Sequence, residues 1–324
     1  MARLHPALTI AITGALALTI SACSKPAETK TPFAPTAGQA REFFWTQVID
    51  MSMKAPAMGM DDTTIQTTKM NLLATPGEAS ADGLIDVEVT FDYFAGETAG
   101  GASSAAAGLD QNASNKSIAK AMMGKSITAN ADAGGNVVSL SGVDTLKDSV
   151  LAELNKIEYP GELAGTIKTI IEQTTDQGFG EAAMKDMTES FILPRSLENL
   201  DAGVTWTRYS KTDFGMLPTN VTHTYTITER SDTAVSVEET STYELDTSAK
   251  SLVDIVKLNP MVAGLGDPTL SLSGTGTGSY TIDSASGWAN AYNGSATLKG
   301  NLEIGPMKAD INITSTQDFT SNFQ

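Results

Sequence analysis

The sequence predicts an α+β fold that is mostly β: a curved, half-barrel-like antiparallel sheet with a central helical segment packed on it. Three observations carry this. Alternating, Thr-rich and β-branched runs dominate residues 39–324, and a period of two marks strands with one buried face. Turn residues separate several of these runs, which favours antiparallel pairing of neighbours. Helix signals are confined to residues 143–190, so the order is sheet, helices, sheet.

Residues 1–22 come first: Arg3 as a basic start, an apolar segment from Ala7 to Ile20, then the small residues Ser21 and Ala22. This is the tripartite pattern of a secretory signal peptide. The apolar segment is shorter than the roughly 20 residues that a membrane-spanning helix needs. The order Ile20-Ser21-Ala22-Cys23 resembles the bacterial lipobox. That resemblance implies that Cys23, the one cysteine of the chain, is acylated and becomes the first residue of the mature protein. Two or more acyl chains anchor a protein stably. An ordinary leader with a chance cysteine at the cut is the alternative. Ser24 stands where an aspartate would imply retention in the inner membrane, so the resemblance implies the outer membrane, facing the periplasm.

A thiol consumed by lipid leaves no disulfide, and the fold must rest on its core. Loss of Arg3 leaves 20 basic against 38 acidic groups. Such a balance repels nucleic acid and anionic head groups, so membrane attachment is expected through lipid alone.

Residues 23–38, with Pro26, Pro32 and Pro35, lack apolar periodicity and read as a flexible tether. Residues 39–324 read as one β-rich domain. Within it TIQTTKMNLLA and GLIDVEVTFDYF are strands, and the low-complexity stretch at 95–115 reads as a long mobile loop. VDTLKDSVLAELNKI reads as a helix capped by Asp144, and the run from ELAGTIKTIIEQTTDQ through EAAMKDMTESF as further helix, closed by Pro194. VTWTRYSKTDF, VTHTYTITE, TAVSVEETSTYEL, LSLSGTGTGSYTID, ATLKGNLEI and MKADINITSTQDF complete the sheet. Alternation puts Val221, His223, Tyr225 and Ile227 on one face. A weak echo relates FWTQVIDMSM to VTWTRYSKTDF, and ITANADAGGNVVSLSG to YTIDSASGWANAYNG. Two repeated halves sharing one sheet would produce it, as would any two series of Thr-rich strands.

Three pieces resemble an uncharacterised family of predicted bacterial lipoproteins. They are the Gly135-Asn136-Val137 turn closing at Gly142; FILPRSLENLDAGVTW with Leu193, Pro194, Gly203 and Trp206; and GTGSYTIDSASG with Gly276, Gly278, Tyr280, Asp283 and Gly287. The likeness spans most of residues 40–320, with Val204 where that family usually has an acidic residue. It implies an exported, anchored, β-rich protein and supplies no reaction. The plan is also similar to half-barrel lipoprotein carriers, which hold an acyl chain between a curved sheet and its helices.

For chemistry, the nucleophile elbow, H-E-x-x-H, P-loop and EF-hand patterns are all missing from the sequence. One histidine, His223, survives loss of the leader, and alternation makes it a half-buried sheet residue beside Tyr225. A Ser-His-acid triad built on it is the catalytic alternative. Glycines at 274, 276 and 278 precede a strand rather than a helix, so they mark a bulge or a close approach rather than a phosphate loop. Met51, Met53, Met58 and Met60 flank a Lys-Ala-Pro-Ala turn. Thioethers suit Cu(I), yet they also fill cores. The pairs Asp61-Asp62 and Glu238-Glu239 point to opposite strand faces and read as solvated edges. Trp45, Trp206 and Trp288 read as core rather than as a carbohydrate platform.

The expectation is therefore a non-catalytic, lipid-anchored envelope protein without a cofactor, binding a hydrophobic ligand or an envelope protein partner and no nucleic acid. Cu(I) binding through the methionine hairpin, an unrecognised hydrolase and a purely structural role are the alternatives. A pocket holding His223, a serine and an acid within hydrogen-bond reach would favour the hydrolase.

Overall fold

A computed structural model describes residues 33–56, 60–100, 111–158, 164–193, 201–214, 217–247 and 266–323. The leader, Cys23 and most of the tether lie outside the described residues, as do Met58 and Pro194.

Among the described residues eleven strands form one antiparallel sheet: β1 (Arg41–Ala55), β2 (Met60–Ala79), β3 (Ile85–Gly100), β4 (Ser126–Ala131), β5 (Val137–Ser141), β6 (Thr205–Asp213), β7 (Pro218–Arg230), β8 (Ala234–Leu245), β9 (Thr269–Asp283), β10 (Ala289–Ile304) and β11 (Met307–Phe323). Their order is β5-β4-β3-β2-β1-β11-β10-β9-β8-β7-β6. Every step is to a sequence neighbour except one, where the last strand pairs with the first, Trp45 opposite Phe319 and Met51 opposite Ile313. The sheet thus circles in one sense from β6 through β11 and β1 to β5 and stops without closing. Two meanders in the same sense, β1–β5 and β6–β11, are what an internal echo of the sequence would build.

Among the described residues there are four helices: α1 (Gln111–Met122), α2 (Val143–Leu154), α3 (Ala164–Phe179) and α4 (Glu181–Ile192). Two expectations are corrected here. The stretch 95–115, read as a loop, is strand up to Gly100 and helix from Gln111. Its Asn/Ser/Ala composition hides an amphipathic helix whose buried residues are only Asn115, Ala121 and Met122. Second, α2 is capped by Gly142 at φ 84° and not by Asp144, which sits in the first turn, where its charge favours the helix dipole. Among the described residues no helix is long and apolar enough to cross a membrane.

The inner face of the sheet, the one that carries the helices, has two apolar regions. The larger joins Phe43, Leu72, Val87, Phe91, Ile127, Tyr280 and Phe319 to Leu146 and Val150 of α2 and Phe191 of α4. Aromatic rings set its geometry: Trp288, 1% exposed, meets Phe33 edge-on at 4.9 Å, and Phe43 lies 4.6 Å from Phe191. Burying rings of this size is worth about 3–5 kcal/mol each against truncation. The second region gathers Leu272, Leu298, Leu302, Ile311 and Ile313. The register places both on the same face, because Phe319, Ser315 and Ile313 alternate along β11. Between them runs a polar belt.

Candidate functional site

The belt crosses β6, β7 and β8 near the open edge of the sheet. Register pairs Arg208 with His223 and His223 with Ser241, so one row of inward side chains spans the three strands. Ser210, opposite Val221, and Glu239, opposite Tyr225, each lie diagonal to His223 on its two flanking strands, close enough for their side chains to meet the imidazole. His223 Nε2 lies 2.8 Å from the Ser210 hydroxyl, and Nδ1 lies 2.5 Å from Glu239 Oε1. Ser241 donates to the same Glu239 oxygen at 2.6 Å and stands 3.0 Å from Nδ1.

Burial grades this row. Glu239 and Ser241 are each 4% exposed, whereas His223 and Ser210 are half-buried. Burial raises the Glu239 carboxyl, but the hydrogen bond and charge from His223, then the hydrogen bond from Ser241, outweigh it and hold the group below the usual glutamate value. Glu239 is therefore a carboxylate, which only accepts, so the Nδ1 proton points to it. In the neutral imidazole that tautomer leaves Nε2 to accept from the Ser210 hydroxyl. The imidazole stacks parallel to Tyr225, 5.9 Å away, which fixes its plane. Behind Glu239 is a polar cavity of about 30 Å³ lined by Tyr243, Thr277, Tyr292, Ser315 and Gln317, room for one water.

The glycines at 274, 276 and 278 make a close approach, as the sequence implied. A Cβ on Gly278 would lie 2.7 Å from the Tyr292 ring, and one on Gly294 would overlap the Tyr292 hydroxyl. These two glycines form the trough in which Tyr292 lies between Tyr280, at 4.3 Å, and Phe319.

The open edges are held by α4. Glu189, buried on that helix, accepts the Val137 backbone N–H of β5 at 2.9 Å and pairs with Arg208 of β6. Asp186, one turn earlier, accepts Arg208 at 2.8 Å and the Lys211 backbone N–H at 3.2 Å. Burial pushes the Asp186 carboxyl up despite the Arg208 charge. Two carboxylates of one helix thus staple both edge strands.

Between α4 and β6 lies a cavity of about 860 Å³. Trp206, Val221 and Ala182 give it apolar wall; Arg208, Lys185 and Lys211 give it positive charge, and Asp186 and Glu189 negative. Ser210 lines it, whereas His223 and Glu239 do not; Glu239 sits on the other side of the imidazole from Ser210.

Of the methionines, Met51 and Met53 are half-buried on β1 and pack against the second apolar region. Met58 lies outside the described residues, and of Met60 only the strand backbone is described. Among the described residues no three His, Cys, Asp or Glu side chains are grouped to hold a metal. Trp288 is core, while Trp45 and Trp206 are half-buried against it. Sequence reading placed Glu239 on a solvated edge; the structure buries it and exposes Glu238. Ser210, Arg208 and Glu189 carried no sequence signal, since each becomes notable only through register or the docking of α4.

Fold and site define an open, helix-stapled antiparallel half-barrel with a polar row on its inner face. The chain belongs to a family of unknown function, DUF6263, whose model matches residues 82–289. No curated protein matches it. Among solved structures it is similar to lipovitellin, described for its lipid–protein interactions, with 10% identity and a TM-score of 0.45 over 90% of this chain and 26% of that one. The chain therefore spans about a quarter of that protein. An outer membrane channel from Pseudomonas putida F1 matches at 8% identity and TM-score 0.24, over 92% of this chain and 99% of that one. OccK5 of Pseudomonas aeruginosa matches at 8% and 0.24, over 89% and 100%. At such scores these neighbours decide nothing about function.

Proposed function

We propose that this protein is a lipid-anchored envelope protein, held at the outer membrane through acylated Cys23, that binds an amphipathic small molecule with an apolar body and an anionic head. The single observation that carries this is the cavity of about 860 Å³ between α4 and β6. Its size falls in the range of small-molecule sites, which pair apolar walls with a few convergent polar groups. Trp206 and Val221 suit the apolar body, and Lys185 and Lys211 at the mouth suit the anionic head. Both lysines are exposed while paired, Lys185 with Glu189 at 3.8 Å and Lys211 with Asp246 at 2.7 Å, and an anionic head would join those pairs at a mouth open to solvent.

The test uses the full-length protein extracted in mild detergent. Native mass spectrometry should find a co-purifying small molecule, and a fluorescent fatty-acid probe should bind. Ala182 faces the cavity from the exposed side of α4, so Ala182→Trp fills it with little effect on folding and should weaken probe binding at least tenfold. Probe binding that survives Ala182→Trp, or no binding in a folded protein, overturns the reading.

A further inference from the structure

We infer that Ser210, His223 and Glu239 form a nucleophile–base–acid triad that hydrolyses an ester bond of a molecule bound in the α4–β6 cavity. The substrate class rests on the ligand-binding reading above; the triad rests on its own geometry. Each contact joins the atom that acyl transfer requires: Ser210 Oγ to Nε2 at 2.8 Å, and Nδ1 to Glu239 Oε1 at 2.5 Å. Such triads are recognised by geometry and roles and recur in unrelated chain orders, so the order Ser, His, Glu over three adjacent strands is no obstacle.

Two features separate this row from a merely structural polar belt. The first is its direction. The acid end is sealed, with Glu239 and Ser241 each 4% exposed, while the hydroxyl end lines a cavity large enough for a substrate. A belt serving stability alone has no reason to turn the half-buried Ser210 hydroxyl, on the base nitrogen, into that cavity. The second is the support behind the acid. Ser241 donates to Glu239 Oε1 at 2.6 Å, which keeps the carboxylate aimed at Nδ1 and favours the neutral tautomer with its proton there and Nε2 as acceptor.

The chemistry balances with water alone. Ser210 Oγ bonds to the ester carbonyl carbon as its proton passes to His223 Nε2. The carbonyl–alkoxy bond breaks, and the leaving alkoxide takes that proton. Water then attacks the acyl-Ser210, giving a proton to Nε2, and the Oγ–acyl bond breaks as Nε2 returns the proton to Oγ. Ser210 and His223 are the catalytic residues in this assignment, and Glu239 is a positioning residue.

Diisopropyl fluorophosphate tests the triad without knowledge of the substrate, because an activated serine displaces its fluoride whatever the natural acyl group. Full-length protein should gain one phosphoryl adduct, mapped by peptide mass to Ser210. The adduct should vanish in Ser210→Ala and form about 100-fold more slowly or worse in His223→Gln. Glu239→Gln should lower the limiting labelling rate about 100-fold with its half-saturation unchanged, a split that loss of structure alone would not give. A folded protein that takes no adduct at Ser210, or one labelled equally fast in His223→Gln, overturns the assignment. Fatty-acid probe binding measured on Ser210→Ala separates the two readings: binding without labelling sinks the triad alone, and labelling without binding sinks the ligand class alone.

Discussion

Replacing Arg208 by methionine tests whether α4 holds the two open edges of the sheet. The guanidinium is only 14% exposed and serves Asp186 and Glu189 together. Methionine keeps much of the stem and removes the charge. Asp186 is a quarter exposed and can rehydrate, but Glu189 is 6% exposed and keeps only the Val137 N–H and Lys185, 3.8 Å away and largely solvated. Breaking a buried pair from one side costs about 3–5 kcal/mol; with one of the two carboxylates able to rehydrate, the lower end applies, about 3 kcal/mol. At about 2–4 °C per kcal/mol for a domain of this size, Tm should fall by about 6–12 °C. Lys54→Met, which breaks the exposed pair with Asp61, is the control and should change stability by under about 1 kcal/mol. Thermal unfolding by circular dichroism gives the Tm, and hydrogen exchange of the β5 peptide should show lost protection at Val137. Adding Glu189→Gln removes the stranded charge while keeping an acceptor for Val137, and should recover about 2 kcal/mol. A loss under about 1 kcal/mol, or unchanged protection at Val137, would refute the stapling.

Three further outcomes follow from the belt and its neighbours. Gly278→Ala puts a Cβ 2.7 Å from the Tyr292 ring and should cost about 1–3 kcal/mol in urea unfolding, with less than additive loss in combination with Tyr292→Ala. Burial, then the Glu239 charge and neighbouring rings, raises Tyr225, Tyr280 and Tyr292 and pushes Tyr243 up to about 12. Four of the seven tyrosines should therefore stay silent at 295 nm until the fold opens; because these folded values exceed the unfolded one, stability falls as pH rises above about 10. Glu239 runs the other way: its folded value is depressed, so its contribution is full above the ordinary 4.5 and is lost as pH falls through the folded value. Glu239→Gln should flatten the drop of Tm below pH 4.5, and an unchanged acid profile would show that Glu239 is not charged in the native state.

The strands were legible in the sequence because alternation is a local signal: each run carries its own period of two, and the buried positions of VTHTYTITE are Val221, Tyr225 and Ile227 in the structure. The helices at α2 and α4 were legible for the same reason, through their own apolar stripes. α1 was not, because its buried positions are an asparagine, an alanine and a methionine, and its burial comes from the sheet it lands on. Alternation also told Glu238 from Glu239 but could not say which face is inside, since that depends on the whole sheet's curvature and on where the helices dock. Hence Glu239 read as a solvated charge and is instead a buried acid. Composition by itself determined the acidic balance, the lone cysteine and the strand-rich class. Only tertiary structure decided the site, because Ser210, His223 and Glu239 meet through the register of three strands and Arg208 meets Glu189 where α4 docks on the open edge of the sheet. Those contacts belong to pairs of elements, and no single stretch of chain contains them.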